Sequence, residues 1–152
     1  MPLNSGMKTN LYAIATGPMT ASKSPIVLIV EDDKPFSAAL REFLKLRFPQ
    51  FEVHAATTGA CALKKFARLQ PQLVLMDIQL PDINGLEITR RVKAQSPDTL
   101  VIVMSMLTGA SIAEKAQANG AAFISKDHLF RDLQPLLAHI YDSSEKPTST
   151  NQ

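Results

Sequence analysis

Cysteine is almost absent from this sequence: Cys61 is the single one in 152 residues, which excludes an intramolecular disulfide and a cysteine-based zinc cluster. A reducing, cytoplasmic setting fits that scarcity. Cys61 stands beside Ala60, Ala62 and Leu63 in a helical pattern, where a packed or surface thiol is expected rather than a nucleophile. No run of about 18 apolar residues occurs, so no membrane-spanning helix is expected. Charge of one sign is scarce too. A formal net charge of +2 is too small to argue for a nucleic-acid or membrane surface without clustering. The local groups Lys64, Lys65, Arg68 and Arg90, Arg91, Lys93 read as solvated helix faces. Finally, no glycine-rich turn follows the first apolar run. Glu31, Asp32, Asp33 and Lys34 stand there instead and would repel a pyrophosphate, which argues against a Rossmann-type dinucleotide site.

What the sequence does have is a length suited to one domain and a 45% apolar content, enough to form a core. Met1 to Pro25 reads as a flexible extension. Its apolar stretch, Leu11 to Ala15, is too short for a signal sequence and is followed by Gly17 and Pro18, while Met7 and Met19 offer alternative starts. From Pro25 onward, short apolar runs alternate with helix-period segments, the pattern of an α/β domain with a parallel sheet. Five strands are expected: Ile26 to Val30, Phe51 to Ala55, Leu73 to Met76, Leu100 to Met104 and Ala121 to Ile124. Five helices are expected between and after them. Phe36, Ala39, Leu40, Phe43 and Leu44 give the first an apolar stripe, with Pro35 in its opening turn and Pro49 beyond its end. Pro71 stops the second, and the third opens after Gly85. Asn119 and Gly120 provide a left-handed stop for the fourth. The fifth is expected to start at an Asp132 cap, which would leave Pro135 in its first turn. A domain over 26–140 follows, with a polar tail or linker stub over 141–152.

In an open parallel sheet the active crevice lies beyond the carboxyl ends of the strands. Strand one leads into Glu31, Asp32 and Asp33, strand three into Asp77, strand four into Ser105, and strand five through Ser125 to Lys126. Alone, Asp33 reads equally well as a helix cap, Ser105 as a turn residue and Lys126 as a solvated loop lysine. Together, the carboxylates would repel one another unless a cation lay among them. Oxygen ligands in small number, with room for water and phosphate, suit magnesium better than calcium or zinc. Beside such an ion a carboxylate can attack a phosphoryl group to give an aspartyl phosphate, while a lysine and a hydroxyl hold the remaining oxygens.

Four segments carry a resemblance to a known family: Ile26-Val-Leu-Ile-Val-Glu31-Asp32-Asp33; Leu73-Val-Leu-Met-Asp77-Ile-Gln-Leu-Pro81-Asp-Ile-Asn-Gly85; Met104-Ser105; and Gly120-Ala-Ala-Phe123-Ile-Ser-Lys126. In this order and at these separations the chain resembles the receiver domain of two-component response regulators over roughly Ile26 to Ile140. The resemblance implies a flavodoxin-like, doubly wound, five-stranded parallel sheet in the order 2-1-3-4-5 with five helices. It implies Asp77 as phosphoacceptor and Mg2+ held by Glu31, Asp32, Asp77 and the backbone carbonyl of Gln79. It further implies Ser105 and Lys126 as phosphoryl contacts and Phe123 as an aromatic switch, for which simple burial is the competing reading. A sensor histidine kinase or phosphotransfer protein is the implied donor. The surface of helix four, strand five and helix five is the implied output face, where a homodimer is also plausible.

Met106 follows Ser105 where the family usually carries a small residue, so it is expected to limit access to the phosphoryl group. Phe123 lacks the hydroxyl that tyrosine would bring. A haloacid-dehalogenase-type phosphatase is disfavoured because Gln79 stands where a second acid is needed. The chain is therefore expected to be a signalling domain rather than an enzyme, with no nucleic-acid-binding segment after Ile140. Two matters stay open: whether it acts alone or was joined to an unknown output domain, and whether it is instead a receiver-like scaffold that signals without phosphorylation.

Overall fold

The computed structural model describes residues 24–142 except Thr108. Five parallel strands form one sheet in the order β2-β1-β3-β4-β5: β1 is Ile26–Val30, β2 Glu52–Ala56, β3 Leu73–Asp77, β4 Leu100–Ser105 and β5 Ala122–Ser125. Five α-helices cover it: α1 Lys34–Arg47, α2 Gly59–Leu69, α3 Gly85–Gln95, α4 Ala110–Ala118 and α5 Leu129–Leu137. The fold is the flavodoxin-like one expected, with β2 and β5 each starting one residue later. The extension expected before Pro25 falls on residues 1–23, outside those described, as do residues 143–152 of the expected tail.

Every residue of β3 and β4 is buried, as strands covered on both faces must be. Alternate side chains feed two cores. On one face Val27, Ile29, Leu73, Leu75, Ile102 and Met104 meet Leu40 and Leu44 of α1 and the leucines of α5. On the other, Leu28, Val30, Val74, Met76, Val101 and Val103 meet Phe66 of α2, Ile88 and Val92 of α3 and Ala116 of α4. Each large aliphatic side chain fully buried this way contributes about 1.5–3 kcal/mol.

The helix ends follow local chemistry. Asp33 caps α1 by accepting from the Phe36 N–H, with Pro35 in the opening turn, where its missing N–H costs nothing. Thr58 caps α2 and Asn84 caps α3. Gly120, at φ 81°, takes the left-handed turn after α4, whereas Asn119, at φ −95°, does not. The end of α2 is less legible. There Gln70 itself adopts φ 51° before Pro71, and its side-chain amide donates to the Ala67 carbonyl.

Two expectations at the carboxyl end need correction. The last helix does not start at Asp132: a 3-10 turn over Lys126–His128 runs straight into α5 at Leu129, so Pro135 lies inside the helix. Leu129, Leu133, Leu136 and Leu137 are all buried. Their spacing forms one continuous stripe, and burying its first member outweighs the lost hydrogen bond and crowding that proline brings. Tyr141, expected to open the polar tail, instead continues a helical segment over Ala138–Asp142 and sets its ring edge-on to Phe51, 5.0 Å between centroids.

Of the basic groups, Lys64, Arg68, Arg90 and Arg91 lie on exposed helix faces as expected, whereas Lys65 and Lys93 turn back to backbone carbonyls. Lys65 Nζ donates to the Ala55 carbonyl beside edge strand β2, and Lys93 Nζ donates to the carbonyls of Pro97 and Thr99. Arg90 and Arg91 both pair with Glu87 on the exposed side of α3, which holds the Glu87 carboxyl at about 2.

Candidate functional site

The strand order places β1 between β2 and β3, so the chain leaves β1 and β3 towards opposite faces and opens a crevice at their carboxyl ends. Glu31 follows β1 directly, and Asp77 is the last residue of β3. Glu31, Asp32 and Asp77 each present one carboxylate oxygen, and these three atoms lie within 4.8 Å of one another. Glu31 is 1% exposed and Asp77 4%, while Asp32 faces solvent. Asp33 stays apart as the α1 cap, its backbone N–H donating to Glu31 Oε2.

Lys126 reaches into this group from the end of β5. Its Nζ lies 2.8 Å from Glu31 Oε1 and 3.4 Å from Asp77 Oδ1, and 4.7 Å from the centroid of the Phe36 ring, a cation–π distance. Burial pushes the Glu31 and Asp77 carboxyls above the usual carboxylate range, with Lys126 opposing the shift in both. At Asp77 the Gln79 backbone amide also opposes it. Burial pulls the Lys126 ammonium down, but its two acidic neighbours outweigh that and hold it above its ordinary value.

Ser105 is fully buried at the end of β4. The register pairs Asp77 with Met104 and Ser105 with Ser125, so Ser105 stands one step beyond Asp77 on the neighbouring strand, and Lys126 comes next after its partner. The Ser105 hydroxyl accepts from the Leu107 N–H at 2.9 Å, which tightens the turn after β4 and leaves the hydroxyl proton free to donate elsewhere. Met106 is 57% exposed in that turn. Phe123, in the middle of β5, is only partly buried and packs against the core beneath α2, α3 and α4.

The residues present fit a small hard cation. All three candidate side-chain ligands are carboxylates, and the two buried ones, Glu31 and Asp77, share the single ammonium of Lys126. Buried carboxylates in excess of their cation favour an additional one.

Two neighbours of the site escaped the sequence reading. Phe36 counted only as part of the α1 stripe, yet its ring faces the Lys126 ammonium. Asp82, in the loop after β3, binds the first amides of α2; a Pro-Asp pair in a turn is too common a signal to single it out.

Comparison with known proteins agrees with this geometry. The family model for the response regulator receiver domain matches residues 27–138. A protein-glutamate methylesterase/protein-glutamine glutaminase of Thermotoga maritima is 34% identical over 119 residues, covering 73% of this chain and 34% of its own. Its namesake in Desulfitobacterium hafniense is 32% identical over 105 residues, covering 68% and 27%. The chain thus spans about a third or less of the length of these relatives. A CheY-like receiver domain protein of Methanospirillum hungatei superposes with a TM-score of 0.72 at 27% identity, covering 82% of this chain and 99% of that one. With the sheet order, the acidic crevice and the lysine opposite it already in place, these matches make the chain a member of the response regulator receiver domain family.

Proposed function

We propose that this chain is a phosphorylated switch in which Asp77 accepts a phosphoryl group from a histidine kinase or phosphotransfer protein. One observation carries the reading: three carboxylates crowd within 4.8 Å at the sheet's carboxyl edge, with one partly buried lysine bridging two of them. Such a group is unfavourable as a structural element alone and suited to receiving a cation and a phosphoryl group.

Glu31, Asp32, Asp77 and the Gln79 carbonyl would hold Mg2+, which supplies positive charge to offset the repulsion between the carboxylate and the incoming phosphoryl oxygens. Asp77 is the nucleophile: its oxygen forms the new bond to phosphorus as the bond from phosphorus to the donor histidine nitrogen breaks, and the electron pair stays on the imidazole. Lys126 and the Ser105 hydroxyl donate to the phosphoryl oxygens. Drawing Ser105 that way breaks its bond with the Leu107 N–H and frees the β4–α4 turn. Phe123, half-covered as it stands, then moves inward, and the surface of α4, β5 and α5 repacks for an output partner.

The chain's own part ends at accepting and losing the phosphoryl group, without turnover of a separate substrate. Incubation with Mg2+ and acetyl phosphate is expected to add the mass of one phosphoryl group, and EDTA to prevent it. Failure with every donor and candidate kinase would favour a receiver-like module that signals without phosphorylation.

A further inference from the structure

The loop from Ile78 to Asn84 carries Gln79, so its position governs where that carbonyl points. Its exit is tight. The Gly85 N–H donates to the Ile78 carbonyl at 2.8 Å, and a Cβ on Gly85 would fall 2.1 Å from the Asp77 carbonyl oxygen. Its outer bend has a separate fastening. Asp82 Oδ1 accepts from the Gly59 N–H at 2.7 Å and the Ile83 N–H at 2.9 Å, and Oδ2 accepts from the Ala60 N–H at 3.0 Å.

Gly59 and Ala60 open α2, whose first amides have no partner within the helix. A carboxylate there gains both hydrogen bonds and the favourable end of the helix dipole, and the Asp82 carboxyl accordingly lies below the usual range. A glycine at the start of α2 gives this approach room. A Cβ on Gly59 would sit 2.6 Å from Ile88 Cδ1 and 3.1 Å from Asp82 Oδ1.

Resting on the proposed Mg2+ site, we infer that Asp82 is a positioning residue for the metal: by clamping the bend of the β3–α3 loop to the start of α2, it holds the Gln79 carbonyl where the cation needs it. Asp82 touches neither the ion nor the phosphoryl group. Its removal therefore weakens ion binding by letting the loop sample positions in which the carbonyl points elsewhere, as loss of an outer orienting partner does at other metal sites.

Calorimetric titration of the whole chain with MgCl2, at a temperature where each variant is folded by circular dichroism, tests this. Asp82→Ala is expected to raise the Mg2+ dissociation constant about tenfold. Asp82→Asn, which keeps an acceptor oxygen, is expected to raise it less. With acetyl phosphate the loss should appear mainly as a higher half-saturating Mg2+ concentration, the limiting rate falling less than the affinity. Wild-type binding with an unchanged dissociation constant in Asp82→Ala overturns the inference alone, even if the variant melts earlier. Absence of Mg2+ binding by the wild type overturns both it and the metal reading beneath it.

Discussion

Replacing Lys126 by methionine would leave Glu31 and Asp77 together in a buried site without the cation that bridges them. Urea unfolding in EDTA near neutral pH is expected to show a loss of about 3 kcal/mol, the cost of stranding buried charge. Burial holds both carboxyls above their ordinary values, so as pH falls they take up protons in the folded chain before the unfolded one does. The loss should therefore shrink on acidification, and added Mg2+ should recover part of it at neutral pH. A loss that grows on acidification would contradict this reading of the pair. Met106 calls for a kinetic experiment. Its side chain is largely exposed in the turn that follows Ser105, and Met106→Ala is expected to react faster with acetyl phosphate and to lose the phosphoryl group to water faster. A variant no faster than wild type would remove Met106 as a gate. At this scale the carboxylates, Ser105 and Lys126 were legible in the sequence because each follows a strand. Asp82 was not, because its partners are backbone amides 22 and 23 residues away, and an amide leaves no mark in residue identity.

Among the helices, α4 and α5 are held very differently. α5 buries four leucines, whereas α4 buries only Ala116 and begins at Gly109 without a side-chain cap. Thin packing lowers the cost of local opening, so amides of α4 are expected to exchange with deuterium faster than those in the middle of α5, and phosphorylation should change their protection more than that of α3. Equal protection across the three helices in both states would contradict a switch at this face. The strands were readable to within a residue because apolar runs of this length in an α/β pattern leave few alternatives. The start of α5 was misread for a physical reason: proline's local preference pointed to Asp132, and the burial of Leu129 overrode it. Local chemistry set the caps of α1, α2 and α3, but tertiary packing set this one.

At the scale of the whole molecule, the order β2-β1-β3-β4-β5 joins residues far apart in sequence at one edge of the sheet. Hydrophobic alternation identifies the strands without ordering them, so the order came from the family resemblance and not from periodicity. The outcome is two apolar cores with an acidic crevice where they meet the carboxyl edge. Glu31, Asp77 and Ser105 are the buried polar residues there. Among the described residues acidic charge is fully buried at that place alone, which concentrates the chemistry beside Asp77. The most direct measurement is the intact mass of the protein after incubation with Mg2+ and acetyl phosphate, made on the wild type, Asp77→Ala and Asp33→Ala. One phosphoryl group is expected on the wild type and on Asp33→Ala, whose carboxylate caps α1, and none on Asp77→Ala. A phosphoryl group retained by Asp77→Ala would contradict the assignment of Asp77.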